Sequence, residues 1–155
     1  MSTLNLARTF IIVLDEMFSY LDLDHKFMCE VPESSLNSGE PVNVLIGITG
    51  DMEGNIMFGY TPETSREIAA KLMGIDHLDK TDIYSQSALA DFCTEFCKRF
   101  IALAKVEYNL VSSYPSYAAG DKMYAMISKV PSKKLFFKVN GKKFNMAYNL
   151  EKTHG

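Results

Sequence analysis

The chain has 155 residues, 47% of them hydrophobic and 23% charged, which is enough to bury one proper core and too few for two ordinary domains. Its net charge is −3, and Lys and Arg are scattered apart from Lys133-Lys134 and Lys142-Lys143, so it lacks the basic footprint of a nucleic-acid binder. No apolar run is long enough to span a bilayer, which excludes membrane insertion by a helix.

Leu6, Phe10, Val13, Leu14, Met17 and Leu21 keep helical spacing and predict an amphipathic helix from Thr3 to Tyr20 that covers a sheet. Asp15 and Glu16 interrupt this stretch, unlike the core of a signal peptide. Phe27, Cys29 and Val31 then alternate with Lys26, Met28 and Glu30, predicting a short strand ended by Pro32. The polar segment from Glu33 to Pro41 reads as a mobile loop.

Val42, Val44, Ile46 and Ile48 occupy one face of a second strand, with Ile56 to Tyr60 as its partner across Gly50-Asp51-Met52-Glu53-Gly54-Asn55. Thr61 followed by Pro62 marks a helix start, and Gly74 stands where a left-handed C-terminal residue belongs. Next comes the stretch around which the chain is organised. From Ser87 to Lys105, Leu89, Phe92, Cys93, Phe96, Phe100, Leu103 and Ala104 recur every three or four residues, while Asp91, Thr94, Glu95, Lys98, Ala102 and Lys105 gather on the opposite face. Asp82, Ser85 and Ser87 are each able to cap this helix.

Pro115 and Gly120 set a loop or short extended piece over Ser112 to Gly120. Met123 to Ser128 reads as a strand. Leu135, Phe137 and Val139 alternate into Asn140-Gly141, a strong hairpin signal, and Phe144, Met146, Tyr148 and Leu150 face inward on the return. The predicted class is α+β, with helices on one face of a mostly antiparallel sheet.

The run Ser87-Ala88-Leu89-Ala90-Asp91-Phe92-Cys93-Thr94 resembles the segment of the CheC/CheX/FliY chemotaxis phosphatases that carries an acidic residue and, three positions later, an Asn. The strand–turn–strand–helix run from Val42 to Gly74, and the Pro-to-Gly segment after the long helix, resemble the CheX pattern as well. The resemblance spans roughly residues 4 to 150 and implies one CheX-like domain over 1–155. By position Asp91 replaces the family's Glu, Thr94 its Asn, and Lys98 stands where Gly is expected.

Members of that family dephosphorylate CheY-type response regulators, whose own aspartate carries the phosphoryl group and whose own site holds magnesium. The resemblance therefore implies Asp91 and Thr94 as catalytic positions, Asp91, Glu95 and Lys98 as a partner-binding face, and no cofactor of the chain's own. It implies a phosphorylated CheY-type regulator as partner, weak or lost phosphatase activity, and a homodimer. A non-catalytic interaction module on the same fold is the alternative reading. Cys29, Cys93 and Cys97 form no disulfide framework, which fits a reducing cytoplasm, and a redox or metal role for Cys93 and Cys97 ranks far behind. His25, His77 and His154 stand isolated, and neither Asn55 nor Glu67 belongs to a motif.

Overall fold

A computed structural model describes residues 4–120 and 130–153. Helix α1 (Leu6–Tyr20) is capped by Asn5, whose side chain accepts the Arg8 N–H, so it starts later than the apolar spacing suggested. Strand β1 (His25–Glu33) follows, then β2 (Val42–Gly50) and β3 (Met52–Tyr60), then α2 (Pro62–Met73) and α3 (Ile83–Ala104). The chain closes with β4 (Leu110–Ser112), β5 (Ser116–Ala119), β6 (Ser132–Val139), β7 (Lys142–Tyr148) and β8 (Glu151–Lys152). The strand expected at Met123 to Ser128 lies outside the described residues.

Among the described residues all pairings are antiparallel, in the order β1-β6-β7-β3-β2-β4, with β5 also on β2 and β8 on β3. The α+β reading therefore stands. Register places Val44 opposite Phe58, Phe58 opposite Met146 and Leu135 opposite Met146, so the inward residues of four strands form one apolar surface. That surface packs against Phe10, Leu14 and Phe18 of α1 and Phe92, Phe96 and Phe100 of α3. Phe96 meets Phe58 edge-on at 5.1 Å, and Phe92 stacks on Phe18 at 5.6 Å. Each such ring pair contributes about 0.5–1.5 kcal/mol beyond its buried area.

Four expectations change. Strand β3 starts at Met52, leaving only Asp51 between it and β2, because Met52 and Glu53 pair with β8 instead of forming a turn. Strand β1 runs through Pro32; among the described residues it pairs only with β6, and a strand paired on one side tolerates proline. A bulge between Phe27 and Cys29 breaks the expected alternation and leaves Cys29 exposed.

The fourth change concerns the segment between β1 and β2, which folds across the sheet face opposite the helices. Leu36 is buried there with Met57 and Ala147. The buried Ser38 hydroxyl donates to Asn43 Oδ1, and its carbonyl accepts Asn145 Nδ2 at 2.9 Å. A Cβ on Gly59 would strike the Ser38 side chain, so the strap lies flat only where β3 has none. Polar composition suggested mobility, whereas these side chains tie the strap to the sheet.

Candidate functional site

Helix α3 begins earlier than its apolar stripe implied. Asp82 is the cap: its carboxylate accepts the Ser85 N–H at 2.8 Å, and Ser85 Oγ accepts the Asp82 N–H at 2.8 Å. This reciprocal box satisfies two otherwise orphaned donors. Below it, Leu89, Phe92, Cys93, Phe96, Cys97, Phe100 and Ala104 are buried, whereas Leu103 is 48% exposed and leaves the stripe predicted for it.

The core fixes the rotation of the helix and so determines what faces outward. Asp91 is exposed, and no hydrogen bond or ion pair holds its carboxylate among the described residues. At about 100° per residue, Glu95 and Arg99 fall on one flank of Asp91, with Thr94 on the other. Glu95 accepts Arg99 Nε at 2.9 Å, and Arg99 also reaches Glu16 of α1 at 3.6 Å. The guanidinium thus bridges two helices. Lys98 is exposed between the flanks.

Thr94 differs from its neighbours in being half-buried. Its hydroxyl donates to the Ala90 carbonyl at 3.1 Å, the back-bond that Thr often makes within a helix. With its hydrogen so directed, Oγ1 offers the surroundings only acceptor capacity.

Asp91 and Glu95 border a groove between α1 and α3, floored by Met17, Leu21, Leu72 and Phe92 and walled by Tyr20. Thr94 does not line it. The structure thus brings Asp91 and Glu95 together with Arg99 and Tyr20, and keeps Thr94 apart on the other flank. Helical spacing placed Glu95 on the outer face but gave no sign of the reach of Arg99 to Glu16 or of the placement of Tyr20. Tyr20 could have been found as the exposed aromatic closing an otherwise inward-facing pattern.

Other chemistry-bearing residues have structural surroundings. Cys93 and Cys97 are wholly buried, and the contact with Cys97, together with burial, pushes the Cys93 thiol well above its usual range. Such a thiol is a poor nucleophile. Glu67 binds Lys142 at 2.8 Å and Asn140 Nδ2 at 2.6 Å. Burial opposes its charge, but those partners outweigh it and hold its carboxyl below the usual range. Asn109 lies beyond the end of α3, its N–H donating to Asp51 Oδ2 at 2.8 Å. Among the described residues no three His, Cys, Asp or Glu side chains gather to hold a metal, and no helix is long and apolar enough to cross a membrane.

No protein-family model and no curated protein sequence matches the chain. Solved structures do. The chemotaxis protein CheX from Desulfovibrio desulfuricans superposes with a TM-score of 0.80 at 20% identity, covering 94% of this chain and 98% of that one. A CheC-like superfamily protein from Shewanella sp. PV-4 gives 0.81 at 14% identity, covering 96% and 99%. The CheX–CheY–BeF3–Mg2+ complex from Borrelia burgdorferi gives 0.73 at 18% identity, covering 96% and 99%. The chain therefore has the CheX and CheC fold, with sheet and helices matched over nearly its full length.

Proposed function

We propose that this chain binds a phosphorylated CheY-type response regulator through the outer face of α3, in chemotaxis or a related two-component pathway in the cytoplasm, and releases its phosphate slowly or not at all. The observation that carries this reading is the exposed Asp91 carboxylate, unpartnered among the described residues, on a helix whose rotation the core fixes. That the Borrelia neighbour of the same fold is a CheX in complex with CheY lends support. Two copies of the chain are expected to associate, and light scattering at high protein concentration checks this separately.

The chemistry asked of such a protein is mainly positioning. The regulator supplies the acyl phosphate and the magnesium; this chain supplies a carboxylate for the regulator's lysine and a group that orients water for in-line attack. Asp91 suits the first task with one methylene less reach than Glu. Thr94 suits the second poorly. An amide both donates and accepts, whereas the Thr94 hydroxyl already gives its hydrogen to Ala90 and has only acceptor capacity left for a water. That same bond favours the non-catalytic module as the second reading.

The test is a screen of the host's response regulators, phosphorylated and unphosphorylated, for binding and for phosphate release. Specific binding of one phosphorylated regulator with release well below that of an intact phosphatase is the expected result. Binding without any release selects the non-catalytic module. Absence of binding to every regulator overturns the proposal.

A further inference from the structure

Two exposed tyrosines stand on the same side of the molecule as Asp91. Tyr84 is 72% exposed and lies two turns before Asp91 on almost the same stripe of α3, about 10 Å along the axis. Tyr20 is 86% exposed at the last position of α1 and walls the groove that Asp91 borders. Neither ring packs into the core. Ser87 and Ala88 follow Tyr84 along α3 toward Asp91 with small side chains, and Ala88 joins Leu21, Leu72 and Phe92 in lining the groove that Tyr20 walls.

A single exposed aromatic needs no explanation. Two beside an apolar groove match the aromatic enrichment of interface cores, where tyrosine supplies large contact area at little conformational cost. Charge narrows the occupant. Arg99 is committed to Glu95 and Glu16, so the groove's free charge is the Asp91 carboxylate, and it suits a partner surface presenting a basic side chain beside apolar ones.

We infer that Tyr20 and Tyr84 are the anchors that hold the regulator's receiver domain about Asp91, with an apolar side chain from beside the phosphorylation site seated over Leu21 and Leu72. This deepens the function proposed above and rests on it: Asp91 meets the regulator's lysine, and the tyrosines set where the receiver lies and hence which regulator fits. Thr94, on the opposite flank of Asp91, is left facing the phosphoryl group.

The experiment is a binding titration of the full chain against the regulator found in the screen, activated with beryllofluoride and magnesium. Tyr20→Ala and Tyr84→Ala are each expected to weaken binding by about tenfold or more, Tyr→Phe at either position to restore most of it, and Val111→Ala, on the distant β4, to leave it unchanged. Because both rings are exposed, the variants should fold normally, and unchanged circular dichroism and melting temperature verify it. If both alanine variants bind as tightly as the parent while Asp91→Ala weakens binding, the anchors are wrong and the function stands. An equal loss on Val111→Ala, or a loss of dimer mass without a loss of regulator binding, also overturns the inference. A parent chain that binds no activated regulator overturns the function and the anchors together.

Discussion

Thr94 shows how one hydrogen bond separates position from capability. The residue is three places from Asp91, as the family's Asn is from its Glu, yet its hydroxyl hydrogen is directed to Ala90. Thr94→Asn, combined with Asp91→Glu and Lys98→Gly, is expected to raise phosphate release from a bound regulator by about 10²- to 10⁴-fold, the usual worth of one positioned group, read in a single-turnover assay. Thr94→Ala should change release little. A parent chain as fast as an intact phosphatase, with Thr94→Ala equally fast, would place the water elsewhere. The exposure of Asp91 was legible from helical spacing. The back-bond of Thr94 was not, because it depends on a rotamer that no periodicity encodes.

His25 is a second residue whose surroundings fix its state. Nδ1 faces the Leu23 carbonyl at 2.9 Å and Nε2 faces Asp15 Oδ1 at 2.6 Å, and both oxygens only accept. Both nitrogens are satisfied only in the imidazolium. Partial burial opposes the charge, but Leu23, Asp15 and Asp24 outweigh it and raise the pKa above the ordinary 6.5. Folding therefore favours the protonated ring: the contribution to stability is fully present below pH 6.5 and is lost as pH rises through the higher folded value. Urea unfolding of the parent against His25→Gln should show a difference that shrinks from pH 6 to pH 8.

At the scale of elements, caps and turns were the most legible features. Thr61, Pro62 and Gly74 do what their residue types suggest: Thr61 accepts the Thr64 N–H, and Gly74 adopts φ 69° and ψ 29°, which a side chain would resist. The start of α3 was ambiguous because three residues could each cap it, and the reciprocal bonds of Asp82 and Ser85 decide the matter in space. Asp82→Ala should cost about 1 kcal/mol, measured by thermal or urea unfolding. The strap was misread, since Leu36 is one apolar residue in a polar segment and such a signal is weak. Leu36→Ala should cost about 2–5 kcal/mol if the site fails to collapse, far more than a loop leucine would.

On the whole-molecule scale, periodicity told which residues face inward but not which strands pair. The last hairpin, β6 and β7, is interior to the sheet, and among the described residues β1 pairs only with β6. That placement has a consequence in time. His25 of β1 pairs with Val139 of β6, so among the described residues β1 gains its sheet neighbour only when almost the entire chain has been made. Until then Phe27, Met28 and Cys29 belong to an unpaired strand, open to association with other chains. Loops this long must close before their contacts stabilise anything, so refolding should take on the order of milliseconds to seconds, resolvable by stopped-flow fluorescence. A truncated chain ending before β6 should aggregate where the full chain stays dispersed.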